Sequence, residues 1–213
     1  MRKIKIILSL TFVILMITGC GNKIEKDIVK PTVTFSVNGN QIYAKTYSSK
    51  VTANDNQKID STSLKYQWTT SNIAPTEASF MIPLTNGDNI SAPVGVTGSY
   101  YLWVMAKDMS GNSIMVNSAV FNLDNTIPVI KLMGNQKFNM NTGMMYNDMG
   151  ATATDNIDGN ITSKIVVDSN VNYKKAGTYR VIYTVTDAAG NAATVVARNV
   201  IVTDTDTMAS PTV

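Results

Sequence analysis

The side chains able to do chemistry in this 213-residue sequence are few, and most of them are oxygen donors. There is no histidine, and the one cysteine is Cys20. An intrachain disulfide, a Cys/His zinc site and a histidine-based triad are therefore excluded. Glutamate occurs only at Glu25 and Glu77. A glycosidase-like carboxylate pair would have to use aspartates, and no pair is singled out by spacing. Three kinds of chemistry remain. The lone thiol of Cys20 can carry a lipid as a thioether. Asp124 and Asn125, with Asp155 and Asp158 further along, offer the hard oxygens that calcium prefers. Trp103 and Tyr101, two apart on one strand face, offer rings on which a sugar can stack.

Each candidate has a plain structural alternative. Asp155-Asn156-Ile157-Asp158-Gly159-Asn160 departs from an EF-hand loop, because Ile157 holds the third position and no glutamate closes the twelve-residue loop. The same residues read as a turn in which Asx side chains bond their own backbone. Trp68 alternates with Leu64 and Tyr66 and is predicted to fill a core. On the strand around Trp103, Leu102, Val104 and Ala106 share one face, while Tyr101, Trp103 and Met105 share the other. One of those faces is predicted to point outward unless something covers it.

The elements that position these residues begin with a targeting segment. Arg2, Lys3 and Lys5 precede an apolar run from Ile6 to Ile17, which is too short for a permanent span of about 20 residues. With those three removed from the 18 basic residues, the remainder balances the 15 acidic ones, so a nucleic-acid partner is not expected. Ile17-Thr18-Gly19-Cys20 resembles the bacterial lipobox, which implies cleavage before Cys20 and lipid attachment to it. Residues 1–19 are read as a lipoprotein signal peptide and 20–29 as a lipid-anchored tether.

From residue 30 onward the pattern is strand and turn. Alternating runs such as Thr32 to Val37, Leu64 to Trp68 and Tyr179 to Val185 are separated by Asn/Gly/Asp turns. An internal repeat organises them: Gly98 to Asn112 aligns without gaps onto Gly177 to Asn191, each a strand running into an Asp-x-x-Gly-Asn turn. Second strands are predicted over Ser113–Leu123 and Ala192–Val202. Pro31 and Pro128 open the two halves alike. The fold class is all-β: two tandem immunoglobulin-like β-sandwich domains, over 30–125 and 126–204, with a polar tail at 205–213.

Residues 127–203 resemble the bacterial Ig-like family DUF5011, through Pro128-x-Ile130-x-Leu132-x-Gly134, Tyr146-Asn147-Asp148-x-Gly150-Ala151, Asp158-Gly159-Asn160-Ile161-Thr162, Gly177-Thr178-Tyr179 and Asp187 to Asn191. Residues 30–125 are similar to another bacterial surface Ig-like module, through Leu64-Lys65-Tyr66-x-Trp68 and Tyr100 to Asp108. These resemblances imply stalks, spacers and adhesion, and carry no catalytic residues. The expected function is therefore a non-catalytic structural, spacer or adhesion module on the extracytoplasmic face of a cell membrane. The expected partners are the membrane itself through the lipid, and cell-wall polysaccharide or another surface protein. The alternative is a module whose function is to bind polysaccharide or cell-wall material.

Overall fold

The computed structural model describes residues 26–204. Cys20, the apolar run before it and the tail from 205 lie outside the described residues.

Strand-forming alternation and glycine-bearing turns give fifteen strands among the described residues. The first eight are β1 (Thr32–Phe35), β2 (Ser48–Asn54), β3 (Lys65–Thr69), β4 (Ile82–Pro83), β5 (Asn89–Ser91), β6 (Gly98–Lys107), β7 (Ser113–Asn117) and β8 (Phe121–Leu123). The other seven are β9 (Val129–Leu132), β10 (Lys137–Asn141), β11 (Ala151–Asp155), β12 (Gly159–Asn160), β13 (Val166–Ser169), β14 (Gly177–Thr184) and β15 (Val196–Thr203). Short 3-10 turns at Glu77–Ser79 and Thr162–Lys164 are the only helical elements among the described residues, and no helix there is long and apolar enough to cross a membrane.

The first sandwich sets β1-β2-β5 against β4-β3-β6-β7, with β8 pairing the start of β6. The second sets β12-β11-β9 against β10-β15-β14-β13. No strand of residues 32–123 pairs with a strand of 129–203. All pairings are antiparallel except β10 with β15, which run parallel from Lys137 opposite Asn199 to Asn141 opposite Thr203, and a single parallel bridge between Ala44 and Leu123.

Each sandwich buries its own apolar set. Val51, Leu64, Leu84, Leu102 and Val104 pack together in the first, with Trp68 half-buried against them. Trp68 meets Phe121 edge-on at 5.3 Å and donates its indole N–H to the Ser91 carbonyl at 3.0 Å. The second core gathers Ile130, Met140, Val181, Tyr183 and Val200.

Two strands differ from the sequence expectation. The long strand predicted over Ser113–Leu123 is broken after Asn117. Ser118 is buried there, and its backbone and hydroxyl both bond the Leu102 backbone, which lets β8 pair with the other end of β6. The strand predicted from Ala192 starts at Val196, preceded by one bridge between Thr186 and Ala192.

Candidate functional site

In both repeated Asp-x-x-Gly-Asn turns the aspartate side chain is hydrogen-bonded within the turn. Asp108 Oδ1 accepts from the backbone of Ser110 and Asn112, both at 2.8 Å, and Oδ2 accepts from the Asn112 side chain at 2.6 Å. In the second copy Asp187 accepts from the Asn191 backbone at 2.7 Å and from its side chain at 2.8 Å. Gly111 and Gly190 take φ of +91° and +90°, a conformation open to glycine at no steric cost.

The asparagine that each aspartate holds reaches back to the start of its sandwich. Asn112 Nδ2 donates to the Asp27 carbonyl at 3.0 Å, and Asn191 Nδ2 donates to the Asp124 carbonyl at 3.0 Å. The same bond thus recurs in two places, and it fixes an aspartate that stands four residues before a proline: Asp27 before Pro31, Asp124 before Pro128.

A third aspartate completes each group. Asp55 directly follows β2 and Asp155 is the last residue of β11, within the same short pattern, Thr52-Ala53-x-Asp55-Asn56 and Thr152-Ala153-x-Asp155-Asn156. Carboxylate oxygens of Asp27, Asp55 and Asp108 lie within 4.8 Å of one another, and so do those of Asp124, Asp155 and Asp187. The backbone bonds correspond as well. Val29 and Thr126 N–H donate to Asp27 and Asp124, each at 3.0 Å; Gln57 and Ile157 N–H donate to Asp55 and Asp155, each at 2.8 Å.

These groups gather negative charge without a cationic partner. Among the described residues the ion pairs are Lys107 with Glu77, Lys164 with Asp158, and Arg198 with Asp148, and none touches the six aspartates. Burial, with the charges of Asp155 and Asp187 alongside, pushes the Asp124 carboxyl above the usual carboxylate range, against the pull of the Thr126 N–H. At Asp108 burial acts the same way, but the hydrogen bonds from Asn112 and Ser110 outweigh it and hold that carboxyl below the usual range.

Of the four calcium-type candidates from the sequence, the structure groups the carboxylates of Asp124 and Asp155 with that of Asp187, while the side chains of Asn125 and Asp158 bond other partners. Asn125 spends its amide on the carbonyls of Lys45 at 3.0 Å and Val96 at 2.8 Å, closing loops of the first sandwich. Asp158 bonds the Ala188 N–H at 2.6 Å and pairs with Lys164 at 3.4 Å. Asp187 takes their place, and the whole group around Asp27 was missed. The signals that point to them are the twice-repeated Asp-x-x-x-Pro and Thr-Ala-x-Asp-Asn spacings.

Trp103 requires a correction. It is a candidate stacking ring only if its strand face is uncovered, and that face is covered: Trp103 is 4% exposed. Phe80, brought in by the segment between β3 and β4, packs against it together with Met105 and the half-buried Tyr101. The Trp103 indole N–H is satisfied by the Ser71 carbonyl at 3.2 Å in that same segment. Strand β6 is therefore covered on both faces, and Trp103 presents no stacking surface.

The Tyr146-Asn-Asp148-x-Gly150 motif has a structural role. Arg198, 1% exposed on β15, donates to the Asn135 carbonyl at 3.0 Å, the Gly150 carbonyl at 3.2 Å, the Met133 carbonyl and Asp148. Asp148 also accepts from Tyr183, from Tyr146 at 2.7 Å and from the Gly150 N–H at 2.9 Å. Burial alone would raise the Asp148 carboxyl; the two phenols, the Gly150 N–H and the Arg198 charge bring it below the usual range. Burial and the bond to Asp148 push the Tyr183 phenol well above its ordinary value.

Comparison with known proteins gives the following. Residues 130–202, about a third of the chain, match the family model described as a bacterial surface protein, Ig-like domain. An uncharacterised 81.3 kDa protein of Acholeplasma phage L2 is 40% identical over 106 residues; the match takes in 44% of this chain, and the chain spans only 13% of that protein's length. Among solved structures, a lipoprotein from Bacteroides thetaiotaomicron is similar at 24% identity and a TM-score of 0.34, over 40% of this chain and 41% of that one. The fibronectin(III)-like modules of Clostridium thermocellum CbhA are similar at 14% identity and a TM-score of 0.34, over 81% and 95%.

Proposed function

We propose that this chain is a non-catalytic module of a bacterial cell envelope. In this reading a lipid on Cys20 holds it to the extracytoplasmic face of a membrane, and the two sandwiches serve as a spacer or adhesion element. The observation that carries it is the match of residues 130–202 to a bacterial surface Ig-like domain. The Arg198 network, in which the motif residues Tyr146, Asp148 and Gly150 converge, is consistent with a part built for stability rather than turnover. The polysaccharide-binding alternative loses its main support with the burial of Trp103.

The anchor is tested in cells fed a labelled fatty acid. Wild type is expected to take up label, and Cys20→Ser to take up none and to accumulate as uncleaved precursor. Normally processed, labelled Cys20→Ser protein would refute the anchor. A turnover screen on peptides, esters and glycosides is expected to find none. A rate that survives repurification and vanishes with one Asp→Asn change would overturn the non-catalytic reading.

A further inference from the structure

We infer that the two three-aspartate groups are a pair of equivalent calcium sites, one at the entrance of each sandwich. The first would be held by Asp27, Asp55 and Asp108, and the second by Asp124, Asp155 and Asp187. The inference concerns the chain's own residues and does not depend on the membrane reading.

Clustered aspartates alone would not carry this, because acidic groups gather on many surfaces. The stronger observation is a set of carboxylate oxygens that are sealed from solvent and bonded to nothing. Asp155 is 9% exposed, and its Oδ2 has no hydrogen-bond partner. A buried carboxylate oxygen without a donor is costly, more so when other carboxylates face it. The first group repeats the pattern with two unpartnered, shielded oxygens, Asp27 Oδ2 and Asp55 Oδ1, on side chains that are themselves half-buried. All the unpartnered buried side-chain polar atoms among the described residues that carry this signature belong to these two groups. A hard cation satisfies such atoms at once.

The donor set selects the ion. Each group offers only oxygens, and calcium takes six to eight of them in flexible geometry, completing its shell with carbonyls and water. Magnesium demands near-ideal octahedral geometry and gives up its water reluctantly, so it suits three fixed carboxylates less well. The bonded oxygens are already oriented: the N–H groups of Val29, Gln57, Thr126 and Ile157 and the Asp-x-x-Gly-Asn turns hold the carboxylates in place before any ion arrives.

The consequence is mechanical coupling between segments far apart in sequence. Asp124 directly follows β8, so its site would tie the exit of the first sandwich to the β11–β12 turn and the hairpin after β14. The Asp27 site would tie the segment entering the first sandwich in the same way.

The test uses the full chain in non-ionic detergent, with titration calorimetry and thermal melts. Asp55→Asn and Asp155→Asn each keep an oxygen for the N–H that the turn needs while removing charge at the unpartnered atom. Wild type is expected to bind two equivalents of calcium in the range up to about millimolar and to melt higher with calcium than without. Each variant is expected to lose one equivalent, and the double variant both. Without calcium, the variants are expected to melt at or above the wild-type temperature, which separates lost binding from lost folding. Fewer than two equivalents in wild type, or binding untouched by either substitution, overturns the assignment. A rise with magnesium equal to that with calcium overturns the choice of ion.

Discussion

At the scale of single residues, the second sandwich depends on one buried cation. Arg198 has its charge balanced by Asp148 and its remaining donors by carbonyls. Removing Arg198 leaves the carbonyls of Met133, Asn135 and Gly150 without their donor, and leaves the half-buried Asp148 without its counter-charge. Arg198→Met is expected to cost about 3–5 kcal/mol, read from denaturant unfolding, with the transition of the first sandwich unmoved. The same network sets an acid limit. Asp148 has a depressed carboxyl in the folded state, so the unfolded chain binds that proton more readily. Its contribution is fully present above the unfolded value near 3.9 and disappears as pH falls through the lower folded value. Melting temperature of the second sandwich is therefore expected to drop below about pH 4, and Asp148→Asn is expected to start lower and to depend less on pH in that window. An unchanged acid profile in the variant would remove Asp148 as the cause.

At the scale of elements, the cover over β6 decides what its strand faces do. Phe80 lies between β3 and β4 yet closes the face of β6 that carries Trp103, 23 residues further along the chain. Phe80→Ala is expected to destabilise the first sandwich by about 3–5 kcal/mol and to shift Trp103 fluorescence to the red. A blue, unshifted spectrum would mean that Trp103 is buried without Phe80. This element also marks where sequence reading stops. Alternation and turns display the strands, and the gapless match of Gly98–Asn112 to Gly177–Asn191 displays the repeat, because both are local. Whether the face of Tyr101, Trp103 and Met105 meets water depends on a distant irregular segment, which leaves no period to read. The break at Ser118 leaves only a shift of phase in the sequence, from Ile114 and Val116 to Phe121 and Leu123, and the hydroxyl bond to Leu102 that fixes it is a tertiary fact. The metal-type site was half legible for the same reason. Asp124 and Asp155 were recognisable as oxygen donors, but only the closed sandwich brings Asp187, rather than Asp158, beside them.

At the scale of the whole molecule, the junction is short: β8 ends at Leu123 and β9 begins at Val129. Pro128 fixes its own φ and biases Ile127 toward extended geometry, while Asp124 is held from both sides, by the Ala44 carbonyl through its N–H and by Asn191 through its carbonyl. Asn191→Ala removes the second hold. It is expected to broaden the distribution of shapes seen in X-ray scattering while leaving the melting of the first sandwich unchanged; an unchanged distribution would mean the bond does not restrain the junction. The parallel pairing of β10 with β15 has a further consequence when the chain is stretched between its ends. Tension enters β10 from its N-terminal side and leaves β15 from its C-terminal side, so the two strands are drawn past each other and their bonds along five paired residues are loaded together in shear. In the first sandwich the comparable parallel contact is the single Ala44–Leu123 bridge. Stretched by its ends in a single-molecule instrument, the chain is expected to give way in two unequal events, with the first sandwich rupturing at the lower force.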